Sequence, residues 1–227
     1  AGRALPASIR RCITGGEAIE PAVVSQWRSM TRGARLFNAY GPTETTVTAS
    51  VCEMTHAGCE AASIGRPLTG STMILFDRHF RMVPAGAIGE LFIGGLGVAR
   101  GYGNRPDLTA ERFIPDPCGE TPGGRLYRTG DRARIGNDGD FEFLSRSDRQ
   151  VKIRGFRLEL DEIERTLEAQ PGVSEAAVAM LEQDLVAWIS VADPAAATDL
   201  GSALRESLPA HMIPRHIERV DALPRTS

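Results

Sequence analysis

The chain has 227 residues, 42% of them hydrophobic and 24% charged, which is enough apolar material for one large or two small cores in a soluble, globular protein. Lys and Arg number 26 against 29 Asp and Glu, and the net charge of -3 offers no chain-wide attraction to a polyphosphate backbone, so nucleic acid is excluded as an expected partner. The most apolar stretches, 87–99 and 173–192, are broken by Glu90 and paired glycines and by Glu175, Glu182 and Asp184, so no membrane span is expected from either.

The first residues, AGRALPASIRR, carry no signal-peptide core and no initiator Met, and LPRTS stops without a terminating element, so both ends read as cut. A strand is predicted over 9–14, ending at Gly15-Gly16, with a helix over 17–30 that has Pro21 near its first turn. Strand, turn and helix make an α/β unit. A second strand at 35–40 runs into Gly41-Pro42, where the chain must turn and expose the next few residues. From Gly65 to Leu144 the pattern becomes short β-like runs at 72–77, 89–93, 132–135 and 141–143, and Asn137-Asp138-Gly139 is a strong hairpin signal. This stretch reads as a β-rich subdomain, a distorted barrel, interrupted by a short helix that Pro106-Asp107 opens and Pro115 ends. After Asp148 a hairpin is predicted around Gly155, then a helix with Leu160, Ile163 and Leu167 on one face and Asp161 and Glu164 toward its positive end. Pro171-Gly172 stops that helix. Strands at 173–181 and 185–191, a helix carrying Leu200, Leu204 and Leu208, and a strand at 216–220 complete a small α+β domain. There is no internal repeat, and only Ala195-Ala196-Ala197 approaches low complexity.

Cys12, Cys52, Cys59 and Cys118 lack the paired spacing that holds zinc, and a chain of this length needs no disulfides, so they are expected to be reduced. His56, His79, His211 and His216 include no metal-binding pair at helical spacing. A cytoplasmic protein without a structural metal site is the expectation.

Three clusters carry chemistry. In NAYGPTETT, 38–46, a Gly-Pro turn at a strand end presents hydroxyls and one carboxylate where a phosphate ester and its magnesium could sit. Alone, the string reads as a polar surface turn. In YRTGD, 127–131, Asp131 follows a glycine turn at the head of a strand and could accept both hydroxyls of a ribose, or simply complete the turn. FLSRSDRQVKIRGFRLE, 143–159, packs five cations around one glycine, a pattern shared by solvated edge strands.

Together with GRPLTGSTMILFD, PAGAIGELFIGGLGVARGYGNRPDLTAERF, LPAHMIP and LPRTS, these strings resemble the amino-acid adenylation domains of nonribosomal peptide synthetases, within the acyl- and aminoacyl-adenylate-forming superfamily. The resemblance covers essentially the whole chain in the family's order and spacing. It implies an α/β and α+β multidomain fold: residues 1–64 as the end of a large α/β adenylation subdomain, 65–147 as the β-rich barrel, and 148–227 as a hinge with a small, mobile and truncated α+β C-terminal domain. It also implies a two-step reaction, in which an amino-acid carboxylate attacks the α-phosphate of ATP and the aminoacyl adenylate is captured by the phosphopantetheine thiol of a carrier protein. By the resemblance Glu44 would hold Mg²⁺ and Thr43 would contact phosphate. Asn38 and Tyr40 would flank the adenine and the acyl end of the pocket, with Gly41 and Phe143 also at the nucleotide. Asp131 would clasp the ribose hydroxyls, and Arg146 would reach ribose or phosphate. Asp148 would be the hinge, Gly155 would line the thiol's tunnel, and Lys152 lies beside it. Ser145 stands where the family has Gly before the arginine, and Phe143 where Tyr is usual.

Ile13, Gly15, Ala39, Val47 and Thr48 match the family's side-chain pocket, and their lack of charge implies a medium to large uncharged substrate side chain, such as an aromatic one. For Ile13 and Val47 ordinary core packing is the alternative. The family's phosphate loop and amine-gripping Asp would lie before Ala1, and its lysine beyond Ser227, so the chain alone is expected to be nearly inactive. One preorganised charge of that kind is worth about 10²–10³ in rate. Two other readings stand beside this one: an acyl-CoA synthetase or aryl-acid ligase of the same superfamily, and a non-catalytic fragment that docks a carrier protein.

Overall fold

In the first 40 residues the apolar spacing changes from alternate positions to a helical period and back, and the backbone follows it: β1 (Arg11–Gly15), α1 (Pro21–Met30), β2 (Arg35–Tyr40). The computed structural model describes residues 6, 8–31, 33–54, 62–119, 122–153, 155–182, 184–192 and 199–224. His56, Cys59, the alanine run at 195–197 and residues 225–227 lie outside the described residues. The chain divides into two units, Ala1–Asp148 and Arg149–Ser227.

β1 and β2 pair in parallel with α1 as their crossover, as a parallel pair requires. The helix begins at Pro21 rather than at residue 17. Proline's fixed φ suits the first helical position and its missing N–H is not needed there, while Glu20 stays extended at φ -71 and ψ 138. Val24 points inward and packs with Ile19, Leu36, Cys52 and Met54.

The first unit continues with β3 (Ser50–Glu53), β4 (Ser63–Pro67), β5 (Ser71–Phe76), β6 (Gly89–Gly95), α2 (Pro106–Arg112), β7 (Phe113–Pro115), β8 (Arg125–Ile135) and β9 (Phe141–Arg146). Among the described residues these join β1 and β2 in a nine-stranded sheet of order β1-β2-β3-β4-β9-β8-β6-β5, with β7 on β8. The sheet therefore runs through both the α/β and the β-rich stretches. β3 and β4 have no predicted counterpart. Gly65 explains why β4 escapes a pattern reading: its φ is +72, and a Cβ there would meet the Val51 carbonyl oxygen at 2.1 Å.

β8 is longer than predicted, because Thr129-Gly130 does not end it. Gly130 adopts φ +75, and the pairing with β9 shifts between Arg132 and Ala133, so the strand bends at a bulge and continues. The predicted hairpin at 137–139 joins β8 to β9, closed by Gly136 N–H donating to the Asp140 carbonyl at 2.8 Å.

The second unit holds the hairpin β10 (Gln150–Ile153) and β11 (Phe156–Glu159), then α3 (Leu160–Glu168), β12 (Val173–Leu181), β13 (Asp184–Val191), α4 (Leu200–Ser207) and β14 (His216–Val220). Among the described residues β12-β13-β14 form a three-stranded sheet in which β13 and β14 run parallel. The predicted helix face is buried: Leu160, Ile163 and Leu167 pack with Val178, Ala187, Ile189, Leu200 and Leu204 in one core. The whole has the expected α/β and α+β character. No helix among the described residues is long and apolar enough to cross a membrane.

Candidate functional site

Alternation along β2 sends Asn38 and Tyr40 to one face of the sheet and Phe37 and Ala39 to the other. At the carboxyl end of this strand the chain folds back tightly. A Cβ on Gly41 would meet Ala49 N at 2.6 Å and the Val47 carbonyl oxygen at 2.7 Å, so glycine is required there. Pro42 leads into a single 3-10 turn, Thr43–Thr45, after which Thr46 and Val47 take φ 62 and φ 68. Two β-branched residues in the left-handed region cost on the order of 1 kcal/mol each. The surroundings hold them: Thr46 Oγ1 donates to the Gly97 carbonyl at 2.8 Å, Ala99 N–H donates to the Glu44 carbonyl at 2.8 Å, and Ala49 N–H donates to the Tyr40 carbonyl at 2.8 Å.

Within this turn Thr43 is exposed and Glu44 half-buried. The Tyr102 hydroxyl donates to Glu44 Oε1 at 2.7 Å and lies 3.4 Å from the Tyr127 hydroxyl. Burial first, then Tyr127 and Glu44, push the Tyr102 phenol well above its ordinary value, so it remains a donor. Sequence reasoning missed this residue, whose only signal is its place between Gly101 and Gly103 in the long family string. Among the described residues no three His, Cys, Asp or Glu side chains converge as a metal cage. One carboxylate beside hydroxyl oxygens instead fits Mg²⁺, which keeps waters and takes its other ligands from phosphates.

The second cluster is built on the register of β8 and β9, where Asp131 lies opposite Arg146. Asp131 is only 6% exposed and sits inside β8, not at a strand head. Arg146 Nη1 donates to Asp131 Oδ1 at 2.6 Å, and the Tyr40 hydroxyl donates to Asp131 Oδ2. The Asp131 N–H donates to Thr129 Oγ1 at 2.9 Å, and that hydroxyl donates to the Leu91 carbonyl at 2.7 Å. The same guanidinium forks onto Asp148, Nε to Oδ1 at 2.6 Å and Nη2 to Oδ2 at 2.8 Å, with Arg112 Nη1 3.6 Å from Oδ2. Burial, then Asp131, raise the Tyr40 phenol well above its ordinary value, so Tyr40 stays protonated as a donor. A carboxylate can accept about four hydrogen bonds, so this arrangement suits a vicinal diol held beside a fixed cation.

The other sequence-predicted positions fall around these clusters. Asn38 is buried, and its amide donates to the Ser63 carbonyl at 2.8 Å, tying β2 to β4. Phe143 is half-buried and packs with Tyr40 against the sheet's core. Gly15 lies beside Ala39 at the carboxyl ends of the parallel pair, where a Cβ on Gly15 would meet the Ala39 carbonyl oxygen at 2.3 Å. Ile13 and Val47 are 69% and 70% exposed in this chain. Thr48 is half-buried. Asp148 is the last residue of the first unit, while Lys152 and Gly155 belong to the second. Lys152 is exposed on β10, and Gly155 turns the β10–β11 hairpin at φ +82 with nothing within 4 Å of a Cβ position. Phe156, next to it, stacks on His211 with ring centroids 4.0 Å apart.

The family model described as AMP-binding enzyme matches residues 1–103, and that described as AMP-binding enzyme C-terminal domain matches residues 162–227. The chain is 48% identical over 229 residues to a subunit of the linear gramicidin synthase of Brevibacillus parabrevis, covering 98% of this chain and 3% of that protein. It is 45% identical over 223 residues to phosphinothricin tripeptide synthetase PhsC of Streptomyces viridochromogenes, covering 95% of this chain and 20% of that one. Among solved structures it is similar to PA1221, described as an NRPS protein containing adenylation and PCP domains, with TM-score 0.78 and 30% identity over 95% of this chain and 44% of that one. The chain thus spans a small part of these curated relatives and less than half of the solved one.

Proposed function

The chain belongs to the AMP-binding enzyme family, and on that premise we propose that it is the C-terminal portion of an amino-acid adenylation domain of a nonribosomal peptide synthetase. In this reading the intact enzyme uses ATP and Mg²⁺ to convert an amino acid to aminoacyl-AMP, then passes the acyl group to the phosphopantetheine thiol of a carrier protein. The observation that carries it is the buried Asp131 carboxylate held between the Tyr40 hydroxyl and the Arg146 guanidinium. A non-catalytic docking fragment has no need of a buried ion pair, which costs desolvation without a matching gain in stability.

In the first step the amino-acid carboxylate attacks the α-phosphorus and pyrophosphate leaves. Asp131 accepts from the ribose hydroxyls, Arg146 places a cation beside ribose or phosphate, and Tyr40, Asn38, Gly41 and Phe143 bound the nucleotide's place. Thr43 presents a hydroxyl to phosphate. Glu44 is the carboxylate that would hold Mg²⁺, which when bound neutralises phosphate charge. Ile13, Gly15, Ala39, Val47 and Thr48 shape the acyl side, and none is charged, which favours an uncharged substrate side chain. In the second step the thiol attacks the acyl carbon and AMP leaves. For that step the second unit swings about Asp148 and brings the Gly155 hairpin, with Lys152, to the thiol's path.

The names of the relatives, a gramicidin synthase and a tripeptide synthetase, support the peptide-synthetase branch over an acyl-CoA or aryl-acid ligase. The test is ATP–pyrophosphate exchange by the intact enzyme across a panel of amino acids, followed by carrier loading. Exchange with an uncharged amino acid and transfer to the carrier are expected. Exchange driven only by a carboxylic acid without an amine, with transfer to coenzyme A, would overturn the reading.

A further inference from the structure

We propose that His211 is a positioning residue for the second step: its imidazole, stacked on Phe156, holds the tip of the β10–β11 hairpin in the place from which it lines the thiol's path. The inference rests on the reading of the Gly155 hairpin as the element that meets the thiol. In the β10–β11 register Lys152 pairs with Arg157 on one side of the hairpin, while Val151 with Leu158 and Ile153 with Phe156 share the other. Ile153 and Leu158 are buried in the core of the second unit and Val151 packs against it, so β10 is fixed up to the turn. Phe156, which begins the returning strand, is 50% exposed. Gly155 before it, at φ +82, has nothing within 4 Å of a Cβ position. The ring that supports Phe156 at this end of the hairpin is that of His211, with centroids 4.0 Å apart and planes inclined by only 14°.

His211 can act as that support because its own place is fixed. It lies in the single 3-10 turn Ala210–Met212, within the LPAHMIP string, to which neither half-reaction assigns a role. Leu208 on one side and Met212 on the other are buried in the same core as Ile153 and Leu158, and the Met212 N–H donates to the Pro209 carbonyl at 2.9 Å. The imidazole therefore projects from backbone that packing holds on both sides. Stacked rings attract beyond the area they bury, by enough to change the balance between a docked and a displaced ring about two- to tenfold. Removing the imidazole leaves Ile153, Leu158 and Met212 in the core and frees the residue next to Gly155. Adenylate formation, which the Asp131 and Glu44 clusters of the first unit carry, is then untouched, while capture by the thiol slows.

The experiment measures amino-acid-dependent ATP–pyrophosphate exchange and single-turnover loading of the carrier on the same preparations of the intact enzyme. His211→Leu keeps an apolar side chain without a ring and is expected to leave exchange within about twofold of the wild type while slowing loading at saturating carrier by about two- to tenfold. His211→Phe restores a ring and should regain most of the lost loading. Phe156→Leu should slow loading as His211→Leu does, and the two changes together should cost no more than either alone, because they remove one shared contact. Equal losses of exchange and loading in His211→Leu, a His211→Phe as slow as His211→Leu, or losses that multiply in the double variant overturn the proposal. Gly155→Leu separates the levels. If it loads the carrier as fast as Gly155→Ala, the hairpin is not on the thiol's path, and that reading falls and this inference with it. If it loses loading and His211→Leu does not, only the role of His211 falls.

Discussion

Asp131 carries more of the proposed nucleotide site than any other residue, and its environment gives a quantitative expectation. Its carboxylate is buried, bonded on one side to Arg146 and on the other to Tyr40. Asp131→Asn keeps the shape and removes the charge. Loss of charge-assisted hydrogen bonds to the ribose, each worth about 1.5–3 kcal/mol, should raise the KM for ATP by at least tenfold. The discriminating measurement compares ATP with its 2′,3′-dideoxy analogue: the wild type should prefer ATP strongly, and the variant should lose most of that preference. Equal discrimination by both proteins would remove Asp131 from the ribose. As a candidate this residue stood out in YRTGD, but its partners did not. Asp131 and Arg146, 15 positions apart, become neighbours only through the β8–β9 register and its bulge, and Glu44 and Tyr102, 58 positions apart, are brought together by a loop that no periodicity announces.

Elements with strong patterning were legible nearly to the residue. The buried stripe of α3 was visible as Leu160, Ile163 and Leu167, and β14 stands where predicted. β3 and β4 were not legible, being four and five residues long, with β4 interrupted by Gly65 and closed by Pro67. Only Ile64 of the five residues of β4 joins the hydrophobic core, and at Gly65 the strand is held by close backbone approach, which leaves little hydrophobic signature. This can be tested directly. Gly65→Ala places a Cβ against the Val51 carbonyl at φ +72 and should destabilise the first unit by about 3 kcal/mol, read as a lower urea midpoint with unchanged slope. Gly155→Ala, also at positive φ but with nothing within 4 Å of the new Cβ, should cost only about 1 kcal/mol. Similar losses at the two positions would mean that φ alone, not crowding, makes glycine necessary in β4.

At the scale of the molecule, the division into Ala1–Asp148 and Arg149–Ser227 separates the residues assigned to the nucleotide from the hairpin assigned to the thiol. A proline placed at Asp148 would be an ambiguous probe of that separation, because Asp148 also grips Arg146 through both carboxylate oxygens. Gly155 is cleaner, since it lies in the second unit while the Asp131 cluster lies in the first, and Gly155→Ala controls for backbone strain. The decisive measurement is amino-acid-dependent ATP–pyrophosphate exchange and carrier loading on the same preparations of the intact enzyme, for Asp131→Asn, Gly155→Ala and Gly155→Leu. Asp131→Asn should lower exchange at subsaturating ATP by about tenfold or more and loading with it. Gly155→Leu should keep exchange within about twofold of Gly155→Ala and lose loading by at least about tenfold, because bulk on the thiol's path leaves adenylate formation untouched. Equal losses of exchange and loading in Gly155→Leu would contradict the account.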